Sequence, residues 1–286
     1  MRIVESLAET RAWLAETRAA GELGLVPTMG YLHEGHLSLL RRARAENGRV
    51  AATIFANPAQ FDKPEDLASY PRDIPRDAAM LREAGCDLLL APPPGEIYLP
   101  GHQTWVEVGD LAAPLEGAHR PGHFRGVATV VLKLFGIFQP DRAYFGQKDA
   151  QQLAVIRRMV RDLNQPVEVV GCPTLREPDG LAMSSRNARL GPEERAAAGV
   201  LFRALSAARA AWQAGETEAE TLRRVMRSVL AGEPLAEPEY VSVADPLTLT
   251  ELDRAEAGAI LSMAVNVGRA RLIDNLILPP RGGAAG

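Results

Sequence analysis

The first 175 residues alternate between short apolar runs and amphipathic segments, and this alternation restricts the fold more than any other feature. Strand character is found in "ELGLVPTMG", "GRVAATIFANPAQF", "DLLLAPPP", "TWVEVGDL", "AYFG" and "VEVVGCPT". The intervening segments, such as "HLSLLRRARAEN" and "DAQQLAVIRRMVRDLN", have apolar residues at helical spacing, and "GVATVVLKLFGIFQP" is apolar nearly all round. Strands that alternate with helices favour a parallel sheet covered on both faces. We therefore predict a Rossmann-like, doubly wound α/β domain over residues 1–180.

The pattern changes after "LREPDGLAMSSRNARLGPEE". Pro192, followed by two glutamates, predicts the start of an Ala-rich helix, and "AETLRRVMRSVLAG" predicts a second helix. Three segments, "EYVSVADP", "GAILSMAVNVG" and "ARLIDNLIL", are typical of antiparallel strands. We predict a smaller C-terminal α+β domain over residues 181–286, ending in a loose tail, "PPRGGAAG".

Charge and composition exclude several classes of protein. The 286-residue chain has a net charge of -4, so it lacks the basic field that nucleic-acid binding requires. It contains no 18-residue apolar run, and "MRIVESLAETRAWLAETRAAG" is too acidic for a signal peptide. Cys86 and Cys172 belong to no CxxC pair and are predicted to be buried thiols. We expect a cytoplasmic protein with neither a membrane nor a nucleic acid as its partner.

The segment "VPTMGYLHEGHLSLL" places two histidines between a buried strand and a helix. Open parallel sheets bind ligands at this edge. A helix that starts near Glu34 or Gly35 sets His33 and His36 one turn apart, beside backbone N–H groups that suit phosphate oxygens. A zinc site is an alternative, but HxxH supplies only two ligands. His36 could also simply pack or cap the helix.

Two further loops carry groups that suit anions. Lys148 is one of only three lysines among 32 basic residues, and its ammonium precedes a helix, where an anionic ligand would relieve the unfavourable dipole interaction. Asp149 and Gln152 are also consistent with a plain capping box. In "GLAMSSRN", the run Ser184–Arg186 offers hydroxyl and guanidinium donors, although it is also ordinary loop composition.

Five segments in order, "PTMGYLHEGH", "NPAQF", "HRPGHFRGV", "FGQKDAQQ" and "DGLAMSSRN", resemble the pantoate–β-alanine ligase family of the HxGH nucleotidylyltransferase superfamily. The resemblance implies ATP-dependent, Mg²⁺-assisted joining of pantoate to β-alanine through pantoyl adenylate, with AMP and pyrophosphate released. It also implies a homodimer and a C-terminal domain that closes over the site.

The resemblance also assigns roles to individual residues. His36, the proton donor, acts with His33 and Lys148 in catalysis. Gln60 and Gln152 bind pantoate and β-alanine. The residues implied in ATP binding are Met29, Gly30, Tyr31, Leu32, His33, Glu34, Gly35, His36, Gly146, Gln147, Lys148, Asp149, Leu175, Met183, Ser184, Ser185 and Arg186.

The sequence leaves undecided the roles of a second group of residues and two alternative functions. Arg120, His123 and Asn57 are placed near the same pocket without defined roles, and His102 is predicted to lie on the surface. A nucleotidylyltransferase that transfers AMP to a phosphate acceptor would use the same HxGH loop, but it needs a basic acceptor pocket. A non-catalytic nucleotide-binding regulator would leave His36 and Lys148 without a chemical task.

Overall fold

A computed structural model describes residues 1–62 and 64–281, so Lys63 and residues 282–286 of the predicted tail lie outside the described residues. The chain divides into two compact units. The first comprises Met1–Ala112, Gly117–Gln147 and Gln152–Pro173, and the second comprises Ala113–Glu116, Lys148–Gln151 and the chain from Thr174 onward. The predicted domain ranges, 1–180 and 181–286, are drawn differently and stay a prediction.

The first unit contains a six-stranded parallel sheet with the order β1-β4-β3-β2-β5-β6. Its strands are β1 (Arg2–Val4), β2 (Leu23–Thr28), β3 (Arg49–Ile54), β4 (Leu88–Leu90), β5 (Arg142–Gly146) and β6 (Glu168–Cys172). The helices along this part of the chain are α1 (Leu7–Thr17), α2 (Glu34–Glu46), α3 (Pro64–Ala68), α4 (Ile74–Glu83), α5 (Pro94–Ile97), α6 (Glu116–His119), α7 (His123–Phe138) and α8 (Ala150–Asp162). The prediction of a doubly wound α/β fold is confirmed.

The strand order places a topological switch point between β2 and β5. The chain proceeds from β2 to β3 and β4 on one side, whereas β5 and β6 lie on the other side of β2. Loops leave adjacent strands in opposite directions at such a point and open a crevice at the carboxyl edge of the sheet. The predicted His33–His36 loop follows β2, so the fold puts it at this edge.

The buried helix α7 packs against the loop that follows β3. A Cβ atom at Gly126 would lie 2.2 Å from the carbonyl oxygen of Ala59, so only glycine permits this approach. Residues 58–60 form a single 3₁₀ turn against the helix. This contact fixes the segment that carries Gln60.

Three details of the first unit differ from the predictions. The segment "TWVEVGDL" is not a strand: it has no ladder partner among the described residues, and its last two residues begin the 3₁₀ turn Asp110–Ala112. The Val106 N–H donates to Thr129 Oγ1 of α7 at 3.0 Å. Alternating apolar residues there pack on a helix rather than join the sheet. Strand β1 was not predicted because it has only three residues. His102 is half-buried, its ring 5.1 Å from that of Trp105.

The second unit is built on a three-stranded antiparallel sheet, as predicted. It contains β7 (Ala236–Ala244), β8 (Ala259–Val267) and β9 (Ala270–Leu278), in that order across the sheet. Its helices are α9 (Pro192–Ala198), α10 (Val200–Gln213) and α11 (Ala219–Ala231), with Gly199 separating the first two. Apolar residues of α10, α11 and the sheet form its core.

Two sequence-based expectations concern burial and membrane helices. Cys86 and Cys172 are both buried free thiols, which confirms the prediction for them. Within residues 1–62 and 64–281, no helix combines the length and the apolarity that a membrane span needs.

Candidate active site

The two predicted histidines meet at the first turn of α2. His33 is the N-cap, and its Nδ1 accepts a hydrogen bond from the Gly35 N–H at 3.1 Å. His36 lies one turn on, and its Nδ1 accepts from the His33 N–H at 3.3 Å, so the two side chains form a reciprocal capping box. The ring centroids are 4.0 Å apart. Because Nδ1 is an acceptor in both rings, each neutral imidazole carries its proton on Nε2.

A buried carboxylate from α4 holds the loop that precedes these histidines. Asp77, with no exposed surface, accepts hydrogen bonds from the N–H groups of Tyr31 at 2.6 Å and Leu32 at 2.9 Å. Tyr31 has a φ of 52° and Gly30 a φ of 89°, so two consecutive residues occupy the left-handed region. Such a conformation is strained for tyrosine, and the two charge-assisted bonds offset that strain.

Arg76 completes this support. Its guanidinium donates to Asp77 at 3.0 Å and to the Leu32 carbonyl at 2.8 Å, and it lies 5.2 Å from the centre of the Tyr31 ring. Glu34, by contrast, is exposed and paired with Arg41, whose hydrogen bond lowers the Glu34 pKa. The backbone of Glu34 begins α2, and its carboxylate is directed to Arg41.

The predicted substrate residue Gln60 is buried beside the same loop. Its Nε2 donates to the Met29 sulfur at 3.2 Å, and its Oε1 accepts from Asn57 Nδ2 at 2.9 Å. Asn57 is 1% exposed and also donates to the Gly126 carbonyl at 3.1 Å. The amide of Gln60 is therefore held in one orientation, with its oxygen toward Asn57 and its NH₂ toward Met29.

Arg120 and His123 hold the backbone of Gln60. His123 Nδ1 donates to the Gln60 carbonyl at 2.8 Å, and Arg120 donates to the same oxygen at 3.1 Å. Since Nδ1 is the donor, Nε2 of His123 accepts the 3.3 Å contact from Arg120. Arg120 also pairs with Asp62 at 3.0 Å. These contacts make both residues supports of Gln60.

A pocket of about 340 Å³ opens at the carboxyl edge of the sheet. Its lining includes Met29 and Gly30 together with Arg72, Asp73 and Asp77, but neither histidine nor Gln60. The sheet edge is thus concave beside the histidine loop.

In the same unit, Gly146 ends β5 and Gln147 follows it, while Gln152 is half-buried in the first turn of α8.

The remaining predicted residues belong to the second unit. The Lys148 side chain is 15% exposed, its Nζ lies 3.6 Å from Asp149, and its carbonyl accepts from Asn275 Nδ2 at 2.8 Å. Met183 donates its N–H to the Leu175 carbonyl at 3.0 Å, which pairs two predicted nucleotide residues across a short hairpin. Ser184 caps the 3₁₀ turn Ser185–Arg189 by accepting from the Arg186 N–H at 3.2 Å.

Three ion pairs with a buried carboxylate were not predicted from the sequence. They involve Asp77 with Arg76, Asp274 with Arg176, and Glu116 with Arg271. Arg271 contacts Glu116 at 2.7 and 2.8 Å, and these bonds raise the Arg271 pKa although burial acts to lower it. An acidic residue inside an apolar strand, such as Asp274 in "ARLIDNLIL", was the one visible signal. In the ranges that the structure covers, no three His, Cys, Asp or Glu side chains cluster as a metal site.

Comparison with known proteins gives one consistent result. The sequence profile of the family "Pantoate-beta-alanine ligase" matches residues 2–277. The chain is 61% identical over 278 residues to the pantothenate synthetase of Roseiflexus castenholzii, covering 97% of this chain and 99% of that protein. It is 60% identical over 284 residues to the pantothenate synthetase of Chloroflexus aurantiacus, covering 99% and 100%.

Solved structures agree with the sequence matches. The pantothenate synthetase of Thermus thermophilus superposes with a TM-score of 0.94 at 52% identity, covering 98% of this chain and 100% of that one. The pantoate–β-alanine ligase of Francisella tularensis, solved with "Beta-gamma ATP and Beta-alanine", gives a TM-score of 0.80 at 32% identity and covers 97% of each chain. The chain therefore belongs to the pantoate–β-alanine ligase family of enzymes.

Proposed function

We propose that this enzyme condenses pantoate with β-alanine at the expense of ATP, through a pantoyl-adenylate intermediate, and releases pantothenate, AMP and pyrophosphate. The family supplies the reaction class, and the Francisella relative, crystallised with ATP and β-alanine ligands, supports both as substrates. The observation that carries the proposal is the pair of imidazoles at the start of α2, joined through the Met29 loop to a buried amide at Gln60.

The histidines suit the nucleotide. Their Nδ1 atoms accept backbone N–H bonds, so the Nε2–H groups are the donors that the rings can offer to phosphate oxygens. His36 is the proton donor of the proposal, and His33 holds its ring. In this proposal the segment from Met29 to Gly35 lies against the ATP. Gly30, with a φ of +89° and a Cβ position only 2.8 Å from Ile54, lets the turn pack on the end of β3.

Gln60 suits pantoate because its NH₂ group faces the sulfur of Met29. A thioether is a weak acceptor, so a pantoate oxygen competes for that N–H without breaking a strong bond. Its oxygen stays on Asn57. Gln152 provides the second amide. Neutral amides hold a carboxylate and hydroxyl groups without adding charge.

The chemistry takes two displacements. A carboxylate oxygen of pantoate attacks the α-phosphorus, and the bond to the β-phosphate oxygen breaks, so pyrophosphate leaves. The amine of β-alanine then attacks the acyl carbon, the bond from that carbon to the AMP oxygen breaks, and the amine passes one proton to water. Since both reactants of the first step are anions, positioning and charge stabilisation carry the catalysis. Lys148 and Ser184–Arg186 are proposed to hold the phosphates that leave.

Mg²⁺ is part of the proposal as an ion carried by ATP. Magnesium at nucleotide sites is held mainly by phosphates and water with one or two carboxylates, so it requires no dedicated protein cage. Asp149, whose carboxylate is 45% exposed beside Lys148, is an oxygen donor of the kind required. The ion supplies neutralisation of phosphate charge.

The test is pyrophosphate release measured with each substrate omitted in turn. We expect sustained release only with ATP, Mg²⁺, pantoate and β-alanine together, with one AMP formed per pantothenate. Replacement His36→Ala is expected to lower turnover by about 100-fold, since one transition-state donor contributes roughly 3 kcal/mol. His119→Ala, at an exposed histidine outside the predicted sites, is the matched control. Turnover that ignores pantoate would refute the proposal.

Homodimer formation, which the resemblance implies, and a cytoplasmic location, which we expect from the composition of the chain, stay predictions. The oligomeric state is tested by light scattering of the purified enzyme, where a mass of one chain would contradict the dimer.

A further inference from the structure

Strand β9 carries two neighbouring polar residues in an otherwise apolar setting. Asp274 is 3% exposed and Asn275 is 5% exposed. Burial of a carboxylate and an amide is unfavourable unless each finds hydrogen-bond partners. Neighbouring residues of a strand project to opposite faces, so the two side chains reach different partners. Both partners belong to segments that the proposed function assigns to the nucleotide.

Asp274 holds the hairpin that carries Leu175 and Met183. Its carboxylate accepts two bonds from the Arg176 guanidinium, at 2.6 and 2.9 Å. The same guanidinium donates to the Gly180 carbonyl at 3.0 Å and to the Asn275 carbonyl at 3.2 Å. One arginine thus ties both sides of the hairpin to β9.

The hairpin is also packed tightly. The Arg176 guanidinium lies 4.3 Å from the centre of the Phe202 ring. Gly180 has a φ of +90°, and a Cβ atom there would lie 2.1 Å from Phe202 Cδ1. Only glycine allows this turn to contact the ring, so the hairpin has little freedom to shift along the strand.

Asn275 holds the phosphate-binding segment. Its Nδ2 donates to the Lys148 carbonyl at 2.8 Å, while its own N–H donates to the Asp274 carboxylate at 2.8 Å. Because Asn275 bonds to the Lys148 carbonyl, the main chain of Lys148 is fixed while its side chain can still adjust to a ligand. Two consecutive residues of one strand therefore determine the distance between Lys148 and the Leu175–Met183 hairpin.

We propose that Asp274 and Asn275 are positioning residues that set the spacing between the adenosine-binding hairpin and the phosphate-binding Lys148. This inference rests on the proposed function, because it requires that both segments bind ATP. A nucleotide spans both segments at once, so a change of spacing weakens its binding. The binding of β-alanine does not use this spacing.

The test separates the Michaelis constants of the two substrates. In the variants Asn275→Leu and Asp274→Asn we expect the KM for ATP to rise about 5- to 10-fold, the equivalent of one lost hydrogen bond. The KM for β-alanine should stay within about twofold. Should Asn275→Leu fail to fold, Asn275→Gln keeps the amide but displaces it, and it should raise the KM for ATP in the same way.

The matched control is Met226→Ala, which creates a cavity at a fully buried position of α11 in the core of the same unit. It tests destabilisation of the unit without touching the two nucleotide segments, and its KM for ATP should not change. An active wild-type enzyme whose β9 variants keep their KM for ATP, or whose Met226→Ala variant raises it equally, would overturn the positioning role alone. Failure of the wild-type enzyme to release pyrophosphate would instead overturn the proposed function.

Discussion

The replacement Asp77→Asn should damage the histidine loop from a position 41 residues beyond His36 in the chain. The carboxylate accepts two backbone N–H bonds, from Tyr31 at 2.6 Å and Leu32 at 2.9 Å, and pairs with Arg76 at 3.0 Å. An amide keeps one acceptor oxygen but turns an NH₂ group toward another donor. Loss of one charge-assisted bond costs about 1.5–3 kcal/mol. Because the Arg76 side chain is 43% exposed, its lost ion pair adds at most about 1 kcal/mol.

We therefore expect Asp77→Asn to lower the free energy of unfolding by about 2–4 kcal/mol, measured by urea denaturation. Where the variant is folded, turnover should fall about tenfold or more, because a displaced loop misplaces His36. The control is Asp73→Asn on the same helix: Asp73 caps α4 by accepting from the Arg76 N–H, and asparagine caps equally well. An Asp77→Asn enzyme within about 0.5 kcal/mol of the control and with full turnover would refute this reasoning.

Two further predictions concern packing and titration. Gly180→Ala should lower the free energy of unfolding by about 2–4 kcal/mol in urea denaturation, because the new methyl group overlaps Phe202 and the residue has a positive φ. The control is Gly136→Ala, where a Cβ atom meets nothing within 4 Å, and it should be neutral or slightly stabilising. Burial raises the pKa of Cys86 from 9.0 to about 12. Above pH 9.0 the thiol ionises in the unfolded chain but stays protonated in the folded one. The free energy of unfolding therefore falls as the pH rises from 9.0 to about 12. Cys86→Ala should reduce the stability lost at pH 10 by about 1 kcal/mol. An unchanged dependence of the free energy of unfolding on pH would contradict the raised pKa of Cys86.

Local patterns in the sequence were sufficient to predict most of the sheet and the start of α2. The apolar runs before Met29 and before Gln147 became β2 and β5, and α2 begins at Glu34 as predicted. A continuous apolar run predicts a strand reliably where the strand is buried on both faces, because nearly every residue in it is then apolar. The strand predicted over "TWVEVGDL" was wrong, because the alternating apolar residues there pack an irregular segment against the core beside α7.

The contacts that hold the site could not be predicted in this way. Asp77 and the Tyr31 N–H are 46 positions apart, and Asn275 and the Lys148 carbonyl are 127 apart. No local pattern encodes such pairs, because they depend on which strands become neighbours. The polar residues Asp274 and Asn275 inside an apolar strand were visible, but their partners were not. A motif therefore indicates candidate ligand-binding residues, whereas the fold determines the residues that support them.

The most direct test of the central claim follows an oxygen atom. Pantoate labelled with ¹⁸O in its carboxylate is turned over with ATP and β-alanine, and the products are analysed by mass spectrometry. Attack of the carboxylate on the α-phosphorus, followed by cleavage of the acyl carbon–oxygen bond, transfers one labelled oxygen to AMP. We predict one ¹⁸O per AMP and none in pyrophosphate. Unlabelled AMP, or label in inorganic phosphate accompanied by ADP, would contradict the adenylate mechanism.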